Sequence, residues 1–309
     1  MIRRNIVTDA EIRDQFIEGV HRLKVRPWPG QAGLGIYDFF VFWHHRAMML
    51  PTPAGARMRN AAHSGPVFLP WHRYMLIMFE LYLRQELDDD DFRLPYWNWT
   101  TDAQLPRPAQ SPVWSPTILG GTGSPVASGP FRRQSADGRQ WEVRLEGNPG
   151  GTNPRRVSRG LQRDLGRRVS TLPRLDQVRA ISQASTVYDA APWNESSAGF
   201  RNASEGWVGE PPPAVHNRVH VWVGLDMERS TSPNDPAFFL HHANIDRIWT
   251  AWQQRHGNPP YLPGADVSVD LQFHRLNDRM HTFFDHTVTP AQMLEVSTRY
   301  EYDTLADLL

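Results

Sequence analysis

The sequence predicts a mainly α-helical fold with long loops and a few short strands. Three features carry that expectation. Apolar residues recur at three- and four-residue spacing in several segments, proline and glycine punctuate the segment ends, and an irregular Gly/Pro/Arg-rich stretch separates two aromatic helical regions. With 309 residues, 40% of them hydrophobic and Trp 12, the chain can bury a sizeable core, and residues 1–309 read as one domain.

The first helix starts at Thr8 or Asp9, either of which suits an N-cap. Phe16, Val20 and Leu23 share one face until Pro27 stops it. Residues 28–35 form a loop. A second helix spans Ile36 to Met49, with Tyr37, Phe40, Val41, His44 and Met48 on one stripe and Pro51 and Pro53 beyond its end. His63 falls in the next loop, and a third helix runs from about 66–70 to Leu87 with Phe68, His72, Met75, Leu76, Phe79 and Leu83 facing inward. Residues 103–200 are an excursion of turns with a candidate hairpin near Trp141–Leu145 and a helix around Arg174–Ser185. The basic run Arg155–Arg179 within it reads as a solvated face. Order returns near Ala214. After Ser232-Pro-Asn-Asp-Pro236, Asp235 is a good cap and Phe238, His242, Ile245, Trp249 and Trp252 trace one face. The tail from Asp270 reads as loops, short strands and a final turn.

Composition removes several function classes. Lys+Arg 33 balances Asp+Glu 33, so no global field draws nucleic acid or an anionic membrane surface, and a small, weakly charged partner is expected instead. Cys 0 excludes disulfides, thiolate metal sites and cysteine nucleophiles. The N-terminus turns polar where a signal peptide needs an apolar stretch, and no run reaches membrane-spanning length, which makes cytoplasmic the default; export carried by a secreted partner leaves no mark in the chain.

Chemistry is concentrated in the histidines. His44, His63 and His72 lie in the N-terminal aromatic region, and His216, His220 and His242 lie beyond the excursion. His216 and His220 are an HxxxH pair, which a helix places on one side. His44 and His242 sit on core-facing stripes, where each lone imidazole needs its own satisfying partner, whereas one metal ion satisfies three at once. Two such trios facing each other hold two metal ions with no carboxylate ligand, which suits a copper pair that binds dioxygen. His45 and His241 adjoin these residues but project about 100° away on a helix. The rivals lack support: HExxH is absent, Glu18-Gly-Val-His21 is the one Glu-x-x-His match, no G-x-S-x-G element occurs, and Gly120–Gly123 lacks a nucleotide-loop context.

The strings FLPWHRYMLIMFE, LPYWNW, HNRVHVWVG and SPNDPAFFLHHANIDRIW resemble the two copper-binding regions of the tyrosinases, most closely the short bacterial kind, and the similarity runs over nearly the whole chain. The resemblance implies a four-helix bundle holding one copper by His44, His63 and His72 and the other by His216, His220 and His242. Two Cu(I) ions about 3.5–4 Å apart reduce O2 to a bridging peroxide. A monophenol, with a pKa near about 10, then needs a base to bind as phenolate. The family assigns that base to a water held by Glu205 and Asn217. Phe238 is placed to stack on a ligand ring and Asp246 to accept a ligand N–H, while Asn98 stands where many bacterial members have an aspartate that supports a ligand. Pro211–Pro213 lengthen the segment before His216, which leaves Glu205 and Glu210 as alternative carriers of the base role. Tyr300 and Tyr302 resemble the tyrosine motif that closes the family's core, with no shielding C-terminal domain expected. The activity implied is monophenol hydroxylation and catechol oxidation, with a copper-delivering helper protein as a possible partner. A catechol or o-aminophenol oxidase uses the same core without efficient hydroxylation, and a hemocyanin-type O2 carrier shares the histidine plan.

Overall fold

A computed structural model describes the chain except Arg57, residues 135–137, Pro149, Glu210, Ser268 and Val269. It is mainly helical, as the periodicity predicts. Helix α1 (Ala10–Val25) opens with the Asp9 carboxylate accepting the Ile12 N–H at 3.1 Å, and Phe16, Val20 and Leu23 on its inner face are fully buried. Side chains of that size stabilise by about 1.5–3 kcal/mol each when removed from water. The chain then turns sharply into α2 (Ile36–Met48). Gly35 is required at this corner, because a Cβ there would stand 2.1 Å from the Lys24 carbonyl oxygen. Asp38 secures the turn by accepting the Gly35 N–H at 2.9 Å and pairing with buried Lys24 at 2.5 Å.

Helix α3 (Phe68–Leu87) packs on α1 and on the last long helix, so its two faces are both buried. After a short helix α4 (Trp99–Asp102), the excursion contains the antiparallel hairpin β2 (Val143–Glu146) and β3 (Arg155–Arg159) and helix α5 (Leu175–Ala184). Helices α6 (Phe200–Glu205) and α7 (Val215–Val223) lead to α8 (Ala237–Arg255), which packs on α3 and α7. Asp235 accepts the Ala237 N–H at 2.9 Å at the start of α8. Among the described residues no helix is long and apolar enough to cross a membrane.

The expectation that Arg155–Arg179 forms a solvated face is corrected at two positions. Arg163 is fully buried and grips Asp235 through two hydrogen bonds of 2.6 and 2.7 Å, and Arg159 pairs with Asp226 at 2.6 Å. A buried guanidinium persists only when its charge and donors are met, and here the partner is the carboxylate at the start of α8. Arg155, Arg168 and Arg174 do face solvent.

Both ends of the chain meet in one buried polar knot. The parallel pair β1 (Ile2–Arg3) and β4 (Glu301–Tyr302) brings Arg3 beside the tail. Asp246 of α8 accepts from Arg73 at 2.5 Å, from Arg3 at 3.3 Å and from the Tyr300 and Tyr302 hydroxyls at 2.6 Å each. Burial drives the Asp246 carboxyl up, but the two guanidinium groups and two hydroxyls outweigh it and hold its pKa below the ordinary aspartate value. Arg73 lies over the Trp249 ring at 3.7 Å, which fixes α3 against α8. Removing the carboxylate leaves buried Arg73 without an acid and Arg3 with Glu80 alone. Asp246→Ala is therefore expected to lower unfolding free energy by about 3–5 kcal/mol, read as a fall in the urea midpoint at unchanged slope. A loss under about 1 kcal/mol would mean the knot is not a stabilising frame.

Candidate metal centre

Helices α2 and α3 and the loop between them supply the first trio. His44, His63 and His72 are all buried, with ring centroids 5.1 Å apart for His44–His63, 4.7 Å for His63–His72 and 5.8 Å for His44–His72. His44 Nδ1 bonds the Ser230 carbonyl at 2.7 Å and His72 Nδ1 bonds the Phe68 carbonyl at 2.8 Å. Each carbonyl can only accept, so it fixes the proton on Nδ1 and leaves Nε2 with a bare lone pair. Neither Nε2 atom meets a hydrogen-bond partner. His63 is placed by an Asx turn, in which Asn60 Oδ1 accepts the Ala62 and His63 N–H groups at 3.0 and 2.8 Å.

The second trio comes from α7 and α8. His216 and His220, one helical turn apart, have their Nε2 atoms at 3.0 Å, and His242 Nε2 stands 3.3 Å from each of them. His220 Nδ1 bonds the Met227 carbonyl at 2.6 Å, and His216 Nδ1 meets Asn217 Oδ1 at 3.0 Å and the Glu205 carbonyl at 3.3 Å. Two donors about 2.0 Å from one ion at a tetrahedral angle stand about 3.3 Å apart, so the three Nε2 atoms fit one first-row metal ion. The rings of His72 and His242 stack across the two trios at 4.3 Å and 14°, so the trios face each other. With no thiolate or carboxylate in either trio, the donor set fits a pair of copper ions.

Burial sets the protonation of all six. Loss of hydration lowers every one of these imidazole pKa values, to about 3 for His44 and about 4 for His220. Neutral imidazole is the metal-binding form. A cleft of about 570 Å³ opens over His44, His63, His216 and His220, with Trp207, Pro212, Pro213 and Arg229 among the residues of its wall. That space admits a small aromatic molecule.

The remaining sequence-predicted residues divide. Glu205 is fully buried, accepting the Ser64 N–H at 2.7 Å and Arg201 Nη1 at 2.9 Å. Burial raises its pKa and Arg201 opposes the rise, with a net shift upward. The proline-rich lengthening before His216 leaves Glu205 beside the trio, because the Ala214 N–H donates to the Gly206 carbonyl at 3.1 Å and closes the loop at its base. Gly206 allows this closure, with φ of 98° and no room for a Cβ against the Ala214 carbonyl. The alternative carrier, Glu210, lies outside the described residues. Asn217 lines the cleft beside His216. Phe238 packs on His242 at 4.1 Å and on His44 at 5.0 Å.

Two support roles are corrected. Asp246, expected to accept a ligand N–H, is consumed by Arg3, Arg73 and the two tyrosines, and His242 Nδ1 one turn away has no hydrogen-bond partner. Asn98 bonds Asp307 at 3.2 Å and the Thr100 hydroxyl at 2.7 Å, touching no member of either trio. His241, set aside as pointing elsewhere, belongs to the second cluster, its ring parallel to His216 at 5.1 Å and 18°. Its Nε2 does not share the 3.0–3.3 Å triangle. Arg201 was missed although its four-residue spacing to Glu205 is a readable signal, whereas the Ser230 and Met227 carbonyls leave none.

Comparison with known proteins gives likenesses of sequence and of fold. The family model described as the common central domain of tyrosinase matches residues 34–255. A tyrosinase of Streptomyces glaucescens is 39% identical over 98% of this chain and 99% of its own length. Grixazone synthase of Streptomyces griseus is 36% identical over 98% of this chain and 99% of its own. The crystal structure of Grenache (Vitis vinifera) polyphenol oxidase superposes with a TM-score of 0.61 at 19% identity, covering 100% of this chain and 86% of that one, a likeness of fold.

The lowered imidazole values predict an acid-labile metal-free protein. These groups are neutral when folded and take a proton near about pH 6.5 when unfolded, so stability is intact above that pH and falls as pH drops toward the folded values. At two units below the ordinary value each enforced neutral imidazole costs about 2.7 kcal/mol, and a few such groups consume the about 5–15 kcal/mol of a typical domain. Metal-free protein should therefore lose its thermal transition between about pH 6.5 and 4.5. A melting temperature flat across that window would contradict the burial argument.

Proposed function

The chain belongs to the tyrosinase family, and from that membership we propose that this dicopper oxidase both hydroxylates monophenols at the ortho position and oxidises catechols to o-quinones. The observation that carries the reading is the conjunction of two facing imidazole trios with an open cleft and, directly behind Ser64 of its wall, a buried carboxylate whose pKa is raised. Bound copper supplies the electrons that reduce O2 and the point at which the phenolic oxygen attaches.

The side chains of the chain itself divide the remaining work. His44, His63, His72, His216, His220 and His242 are the proposed ligands, and the carbonyls behind them hold four of the rings in one tautomer. Phe238, wedged between His44 and His242, keeps those rings from rotating out of register. A monophenol must lose its proton to become the electron-rich phenolate that takes up an oxygen atom, whereas a catechol is oxidised with no oxygen atom added to its ring, so its oxidation depends far less on a separate base. Glu205 takes that proton, through a water held jointly with Asn217, and its upward shift makes it a better base near neutral pH than a solvated glutamate. Arg201 then sits 2.9 Å away to limit the charge change as the proton arrives and leaves. An open cleft beside the coppers favours turnover of phenols over reversible storage of O2.

Copper-loaded protein should contain about two copper ions per chain, falling to about one in His220→Ala, by metal analysis. Glu205→Gln should lower kcat on a monophenol by about 10²–10⁴-fold while catechol oxidation stays within a few-fold of the parent. Equal losses on both substrates would remove Glu205 from the proton step.

A further inference from the structure

The wall of the cleft holds a charge that the reading above does not use. Glu195, half-buried on the segment between α5 and α6, lines the same cavity as His63, Ser64 and His216. Its Oε1 accepts the Ser64 hydroxyl at 2.9 Å, and Ser64 directly follows His63. Its backbone is pinned as well, because Asn202 Nδ2 donates to the Glu195 carbonyl at 2.9 Å. The carboxylate is thus fixed at a set height above the imidazole floor.

The other charges of the wall are already balanced. Arg229 donates to Glu146 and has Asp226 3.9 Å from its Nε, while Glu228 is taken by Arg168 at 2.6 Å. On the Glu195 side, Arg201 is shared between Asp189 and Glu205, and the Arg59 guanidinium is spent on the Thr52, Trp193 and Asp270 carbonyls. Among the described residues Glu195 has no ion-pair partner, and the Ser64 hydroxyl bonds its Oε1 and not its Oε2. With the phenolic oxygen at the imidazole floor, the rest of a substrate would extend along the cleft wall of which Glu195 is part.

Resting on the phenol-oxidase reading, we propose that Glu195 is a specificity-determining residue that selects phenols and catechols carrying a cationic amine on the side chain opposite the reacting hydroxyl. An ammonium group there replaces water at Oε2 with a charge-assisted hydrogen bond, and an anionic side chain meets repulsion. The ammonium binds without any change in the redox chemistry at the floor. Because the carboxylate is only half-buried, the discrimination is modest and weakens with salt.

The test compares dopamine with 3-(3,4-dihydroxyphenyl)propionate at low ionic strength, each referred to neutral 4-methylcatechol. The parent should show a KM about tenfold lower for the cation than for the anion; Glu195→Gln should bring the two within about twofold, and Glu195→Lys should reverse the order. Equilibrium dialysis of tyramine and 3-(4-hydroxyphenyl)propionate against copper-loaded protein without O2 reads the same ratio as Kd, independent of turnover. Discrimination that survives Glu195→Gln, or a parent that prefers the anion and loses that preference in Arg229→Gln, overturns the proposal. Loss of oxidation with all three catechols, with the dialysis ratio intact, would instead defeat the oxidase reading and leave the charge selection standing.

Discussion

Two imidazole lone pairs 3.0 Å apart with no hydrogen between them are the constraint from which the rest of this structure follows. His216 and His220 each have an acceptor at Nδ1, so their protons are committed there and both Nε2 atoms present electron density to the same point. His242 adds a third nitrogen at 3.3 Å. Such a cluster at the floor of a cleft is repulsive unless a cation occupies its centre. The fold must therefore supply the rigidity that keeps the rings together before the ion arrives, and the metal then returns binding free energy as folding free energy. The polypeptide spends little sequence on this. A helical turn spaces His216 from His220, and the backbone carbonyls of Ser230, Phe68 and Met227 set the ring orientations.

Rigidity comes from the layer outside the site. Helix α8 carries His242 on one turn and Asp246 on the next, and Asp246 is bound on all sides by α3, the first strand and the tail. A displacement of His242 along α8 would therefore have to break ion pairs to Arg73 and Arg3. At the other end, Arg163 holds Asp235, which in turn accepts the first amide of α8. The long helix is clamped at its start and near its middle by buried charges whose partners lie far away in sequence. Isolated charges at such depth would be destabilising; paired, they specify one register of α8 against α3.

What could be read from the sequence was what has a local period or a local pair. The stripes carrying His44, His72 and His242 place these residues inside, Asp9 caps α1 as expected, and prolines lie just past the end of α2 and at the start of α8. The HxxxH spacing is local too, and so is the four-residue step from Arg201 to Glu205, which went unread. What could not be read was decided by residues far apart in the chain. Spacing alone offers Asp246 to His242, one turn away, but two guanidinium groups from α3 and the N-terminus compete for it and win on charge. Arg163 reads as solvated because its partner is distant in sequence. His241 shows the limit of the 100° argument: the rotation does take its nitrogen off the triangle, yet a ring stacked on His216 stays in the cluster.

The coupling of base to metal ligand has a backbone origin. Ser64 has φ of 58°, in the left-handed region that a serine occupies only at some energetic expense. Two carboxylates hold it there, Glu205 through the backbone N–H and Glu195 through the hydroxyl. The strained residue is the one after His63, so the grip on Ser64 also fixes where His63 enters the first trio. Glu205 reaches the second trio by its own carbonyl, which meets His216 Nδ1 at 3.3 Å. One glutamate thus touches a ligand-bearing segment on each side of the metal pair, by its side chain on one and its backbone on the other. Its carboxylate is consequently fixed in the same frame as the reacting centre, which a base on an independent loop would not be. The Gly206–Ala214 hydrogen bond closes the proline-rich segment at its base, which keeps Glu205 and His216 adjacent across it.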